Sequence, residues 1–275
     1  MIPGFVLAIN AELEIGANRG DVTIIPTEII RLFNGEDLSG FYTWLVDHNY
    51  EDPDKVFTVV DQIDGAPAIR ISGQHWGGLI TENSYANYHL IVEFRWGLVT
   101  WGSRKNASMD SGILLHAQGP DGNSRADFTG PWMKSIEYQI IEGGTADFIL
   151  VRGFNEEGER LAPKLTTTVS QDYNGQYVWN PEGEIRTFEG GRINWFGRDP
   201  EWDNSLGYRG VQDVEKPVGE WNRIEVICDG DTFTYLLNGK IVNKGYDSSL
   251  TEGQLLFQSE GAEIFFRRIE LRPLP

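Results

Sequence analysis

The sequence predicts an all-β protein built from two packed antiparallel sheets. Three observations predict it: apolar residues recur with a period of two, 32 glycines and 12 prolines break the chain into short segments, and helical periodicity is nearly missing. A chain of 275 residues, 40% of them hydrophobic, is long enough to fill the core of one large β domain.

Taken in order, the one helical expectation is a short turn around residues 27–33. Residues 88–96 then place Tyr88, Leu90, Val92, Phe94 and Trp96 on one face of a strand, and His89, Ile91, Glu93 and Arg95 on the other. Residues 111–118 repeat the pattern, with Ile113 and Leu115 opposed to Leu114, His116 and Gln118. Residues 135–141 set Ile136, Tyr138 and Ile140 against Glu137 and Gln139. Further on, residues 221–228 and 232–237 form a hairpin through Asp229-Gly230, and Asn238-Gly239 marks a second turn into Ile241 and Val242. Residues 254–259 and 263–271 supply the last two strands across Gly261. The stretch 152–217 is long and polar yet carries Tyr173, Tyr177, Trp179, Trp195, Phe196, Trp202 and Tyr208. Disordered segments are poor in aromatics, so an ordered, functional loop insertion is expected there.

Bulk composition excludes several function classes. The 41 acidic and 23 basic residues give a net charge of -18, which repels phosphate backbones and anionic lipid surfaces, so nucleic acid is not an expected partner. Cys228 is the one cysteine, which rules out an intrachain disulfide, and its apolar neighbours Ile224, Val226 and Ile227 mark it as a buried, inert thiol. Residues 1–10 lack the basic lead and apolar run of a signal peptide, and no stretch approaches the ~20 apolar residues of a membrane span. No spaced calcium-loop motif or thiolate zinc cluster is visible, so neither a metal nor a cofactor is expected.

An ordered series of stretches resembles the 3-keto-disaccharide hydrolase domain family. It begins with Leu32-Phe33-Asn34-Gly35-Glu36-Asp37-Leu38-Ser39-Gly40 and Gly78-Leu79-Ile80-Thr81, and continues through Asp110-Ser111-Gly112-Ile113 and Ile136-Glu137-Tyr138-Gln139-Ile140. Gly219-Glu220-Trp221-Asn222, Leu237-Asn238-Gly239-Lys240, Phe257-Gln258-Ser259-Glu260-Gly261 and Phe266-Arg267-Arg268-Ile269 complete it. The resemblance implies a concanavalin-like jelly-roll sandwich over residues 28–275, with residues 1–27 as an N-terminal extension packing on it. It also implies action on a small carbohydrate, a 3-keto-sugar, by a hydrolase or lyase in a periplasmic or secreted setting. A non-catalytic, lectin-like binding module is the alternative, because one sandwich hosts many functions.

The expected site lies on the water-facing side of one sheet. Glu137, Gln139 and Glu142 have the spacing E-x-Q-x-x-E, similar to the E-x-D-x-x-E strand of laminarinase-type glycoside hydrolases, with Gln139 in place of the middle acid. Glu142 converges with Glu137 only if the strand bulges near Ile141. Glu137, His116 and Glu142 are the catalytic candidates, with Glu137 or His116 as the base that removes the acidified C2 proton of a 3-keto-sugar. Glu93, Arg95, Gln139, Trp132, Trp202, Gln258 and Glu260 are the substrate-binding candidates; Glu93 and Arg95 have the alternative of a cross-strand ion pair. Trp101 is a further loop indole that could stack on a sugar or fold back onto the core, and Lys105, Asn106, Arg125 and Asp127 are placed at the rim.

Overall fold

The computed structural model describes residues 19–275. Period-two alternation gives each strand one apolar face, and two such faces close on each other. One sheet has seven strands in the order Gly191–Ile193, Phe148–Val151, Lys134–Ile141, Asp110–Gln118, Gln254–Ser259, Gly77–Thr81, Phe41–Leu45. The other runs Lys240–Gly245, Thr232–Leu237, Asn222–Asp229, Tyr88–Thr100, Ala262–Arg272, Ala66–Ile71, Phe57–Ile63, with Ile30–Arg31 paired to Ala262–Arg272. All of these pairings are antiparallel. The architecture is the pair of antiparallel sheets that the alternation predicts and the jelly-roll sandwich that the resemblance implies.

The core between the sheets is made by the residues that alternation assigns to it. Tyr88, Leu90, Val92, Phe94 and Trp96 of one sheet face Ile113, Leu115, Ile136, Tyr138 and Ile140 of the other, all buried. Each contributes roughly 1.5–3 kcal/mol of apolar burial. Cys228 lies in this core, and burial pushes its thiol well above the ordinary range. The second turn carries positive φ at both Asn238 and Gly239, 49° and 81°, the geometry that Asn-Gly favours. The first turn falls at Gly230-Asp231, one residue later than expected, because Asp229 pairs with Thr232.

Two expectations change. The short helix around residues 27–33 is replaced by the extended pair Ile30–Arg31, held against Leu271 and Glu270. The insertion over 152–217 also holds strands of its own: Lys164–Gln171 lies between Tyr177–Trp179 and Glu184–Glu189 in a small sheet. Of the expected N-terminal extension, residues 1–18 lie outside the described residues. Within the rest, Thr23–Ile24 pairs in parallel with Ser84–Tyr85.

A buried carboxylate ties the insertion to the seven-stranded sheet. Asp147, with a wholly buried side chain, accepts hydrogen bonds from the Trp195 backbone at 2.8 Å and from Arg192 and Arg198 at 2.9 Å each. This brings Gly191–Ile193 to the edge of the sheet, with Arg192 beside Ile149. No helix among the described residues is long and apolar enough to cross a membrane.

Candidate functional site

The outer face of the seven-stranded sheet carries a hollow of about 450 Å³ whose floor comes from strands far apart in sequence. Register brings them together. Gln139 pairs with Gly112, and Ile113 beside Gly112 pairs with Phe257 next to Gln258. Alternation then turns Glu137 and Gln139 outward from one strand, Asp110 from the next and Gln258 from the third. Glu260 follows at the end of that third strand, and Arg192 approaches from the edge.

Gly112 makes this gathering possible. A Cβ at Gly112 would stand 2.4 Å from Glu137 Oε1 and 2.5 Å from Gln258 Oε1, so both side chains lean over a residue that has none. Arg104, set by the short 3-10 turn Gly102–Arg104, donates to Asp110 Oδ2 and, at 3.3 Å, to Glu260 Oε1. Asp110 Oδ1 and Gln258 Oε1 are buried without a protein partner, leaving acceptors for hydroxyl groups entering the hollow. Trp132 and Ser124 stand at the wall, and Trp132 stacks with Trp76 at 6.0 Å between ring centroids.

Three carboxyl groups in one buried place compete for charge. Burial, and then the neighbouring Asp110, pushes Glu137 up to about 8, with Arg192 and Gln258 pulling the other way. Burial and Glu260 hold Asp110 well above the carboxylate range, against Arg104 and Arg192. Burial and Glu137 raise Glu260, against Arg104. The group therefore retains protons near neutral pH and can both give and take them.

The structure gathers Glu137, Gln139, Trp132, Gln258 and Glu260 in this hollow and sends the other candidates elsewhere. His116 does not share the polar face. A bulge in Asp110–Gln118 gives it a φ of 53°, and its ring turns into the core against Tyr88 and Phe233. There its Nδ1 lies 3.2 Å from the Leu250 carbonyl, and burial lowers the imidazole to about 4. Glu142 does not converge with Glu137, because no bulge occurs at Ile141 and the register continues through Ile141 and Asp110. Its Oε2 instead accepts from the backbone of Met109 and Gly207, each at 2.9 Å.

Trp202 also stands apart from the hollow, donating to the Glu142 carbonyl at 2.8 Å and lying under Arg198. Glu93 and Arg95 belong to the opposite sheet, where Glu93 accepts from Arg267 at 2.7 Å and Arg95 pairs with Asp64. Both make ion pairs there. The third indole, Trp101, lies outside the hollow's lining and donates to the Ser72 carbonyl, and the rim candidates Lys105, Asn106, Arg125 and Asp127 are exposed outside that lining. Sequence reasoning missed Arg104, Arg192 and the part played by Asp110. The available signal was Asp110-Ser111-Gly112, a charge and a glycine at the head of a strand that runs on through Ile113, Leu114 and Leu115.

The pattern of the 3-keto-alpha-glucoside-1,2-lyase-like domain matches residues 28–272. The chain belongs to that family. The family description makes this a carbohydrate-related domain. A search of curated proteins finds no match. Among solved structures, one from Parabacteroides distasonis ATCC 8503 with a glycosyl hydrolase designation superposes at a TM-score of 0.50 and 18% identity, covering 90% of this chain and 94% of that one. A second from the same organism and designation gives 0.47 at 18% identity, over 90% and 100% of the two chains. A Bacillus licheniformis β-glucanase gives 0.43 at 9% identity, over 89% and 96%. The first supports the sandwich architecture of the 3-keto-alpha-glucoside-1,2-lyase-like domain and nothing beyond it.

Proposed function

We propose that the chain cleaves 3-keto-glycosides by elimination, with Glu137 as the base. The observation that carries this reading is a buried carboxyl whose proton affinity is raised to about 8, set among two further carboxyls and the guanidinium groups of Arg104 and Arg192 in an open hollow. A 3-keto group acidifies the hydrogen on C2. Glu137 takes that proton, the electron pair forms the C1=C2 bond, and the C1–O bond breaks. The departing oxygen takes a proton from the carboxyl group of Asp110, which burial and Glu260 keep protonated. Water added across C1=C2 turns the elimination into net hydrolysis. Charge that develops on the 3-keto oxygen is matched by the fixed guanidinium of Arg104 or Arg192. Gln139, Gln258 and Trp132 orient the sugar through hydroxyl contacts and ring stacking.

A retaining two-glutamate mechanism is disfavoured, because it needs carboxyls ~5–5.5 Å apart on both sides of the glycosidic bond and Glu142 is held by Met109 and Gly207. The test is turnover of a 3-keto-glucoside and of its parent glucoside, followed by mass spectrometry. Wild type is expected to release the aglycone from the keto substrate alone, with kcat/KM rising as pH passes through about 8. Glu137→Gln is expected to lose at least ~10²-fold. Equal turnover by Glu137→Gln, or preference for the unoxidised glucoside, overturns the assignment.

A further inference from the structure

We propose that His48, His75 and Asp54 form a site for one divalent transition-metal ion, with zinc as the reference ion. His48 follows the edge strand Phe41–Leu45 in a tight turn, Asp54 lies in the next turn, and His75 precedes Gly77–Thr81, so neighbouring loops converge at one sheet edge. His75 Nε2 stands 3.0 Å from Asp54 Oδ2, and His48 Nε2 stands 3.5 Å from the same oxygen. The three ligand atoms all lie within 4.8 Å of one another. Bonds of ~2.0–2.1 Å at tetrahedral angles put ligand atoms about 3.3 Å apart, so the spacing suits a small tetrahedral ion.

The hydrogen bonding around the cluster points the same way. His75 Nδ1 lies 3.1 Å from Asp47 Oδ2, the outer carboxylate contact that orients a metal-binding imidazole. The other ring nitrogen, Nε2, faces the Asp54 carboxylate, so one ring is oriented by Asp47 and directed at Asp54 and His48. His48 Nε2 is cut off from solvent and has no hydrogen-bond partner. Asp54 and Asp47 remain exposed, which leaves an entry path. Two imidazoles and one carboxylate favour zinc, cobalt or nickel over calcium or magnesium, and three protein ligands leave a fourth position for water or a ligand.

The site also reaches the hollow. The His75 carbonyl accepts a hydrogen bond from Ser259 at 2.6 Å, between Gln258 and Glu260 in sequence. Trp76, the next residue, stacks on Trp132 at the wall of the hollow. An ion held by His75 thus fixes the aromatic wall.

The experiment is equilibrium dialysis of the purified full chain, first stripped with chelator, against zinc, read as bound metal per chain together with the zinc-induced shift in Tm. Wild type is expected to bind one equivalent and to melt higher with zinc. Asp54→Asn, an exposed substitution that leaves packing alone, is expected to weaken binding at least tenfold and to abolish the shift. His75→Ala is expected to lose binding while its circular dichroism stays unchanged. His89→Gln, on the opposite sheet beside Glu225, is expected to bind like wild type. Less than one equivalent on wild type, unchanged binding by Asp54→Asn, or displacement of zinc by a modest excess of calcium overturns the proposal.

Discussion

At Glu137 a carboxyl is held where water barely reaches, and the consequence for stability has a definite sign. Its value rises from an ordinary 4.5 to about 8, so the fold prefers the protonated form. The contribution of this group to stability is therefore complete below pH 4.5 and is lost as pH rises through about 8. Glu137→Gln keeps a neutral group of the same shape. Thermal unfolding across that range is expected to show the variant gaining on wild type with rising pH, and parallel Tm curves would count against it. His116 runs in the opposite direction. Its imidazole is lowered from 6.5 to about 4 by burial, so its contribution is present above 6.5 and lost as pH falls toward 4.

At the level of the strand, a one-residue change of register decides which side chains meet the sugar. Alternation assigns Ile113 and Leu115 to the core correctly, and it fails at the next residue, where the bulge turns His116 inward. No local signal marks that bulge, because the φ of 53° falls on a histidine and not on a glycine. Glu142 fails the opposite expectation: the chain keeps alternation where a bulge was required. Glu93 and Arg95 do lie on a polar face, yet face assignment within a strand does not say which sheet the strand joins, and theirs is the far one. Glu137, Gln139 and Gln258 were legible because strict alternation and turn residues fix their direction. Arg104 and Arg192 were not, since a 3-10 turn and an edge strand from the insertion deliver them. Because His116 packs in the core, His116→Leu is expected to keep its turnover of 3-keto-glucoside and to lose less stability than wild type below pH 6. A collapse of turnover with the fold intact would return His116 to the chemistry.

Across the whole molecule, two forces act over different distances. The sandwich core and the Asp147 anchor work at contact range, and Asp147 draws the insertion, and with it Arg192, onto the sheet edge. Removing that buried acid as Asp147→Ala strands two guanidinium groups and is expected to cost about 3–5 kcal/mol by urea unfolding, with a fall in turnover as Arg192 is freed. A loss under ~1 kcal/mol would mean that the aromatic packing of the insertion suffices alone. The net charge of -18 acts at long range and opposes compactness. Raising salt from ~0.01 M to ~0.15 M shortens the screening length from ~30 Å to ~8 Å, so Tm is expected to rise. Thermal scans at the two salt levels check this, and a falling Tm would show that ion pairs outweigh the repulsion.

Gly112 places an absence at the centre of the hollow's floor. Nothing at that position donates, accepts or titrates, so a survey that replaces charged and polar residues one by one would pass over it. A single added methyl would nonetheless push the acid and the amide apart at once, undoing the hollow while every polar group stayed in the chain.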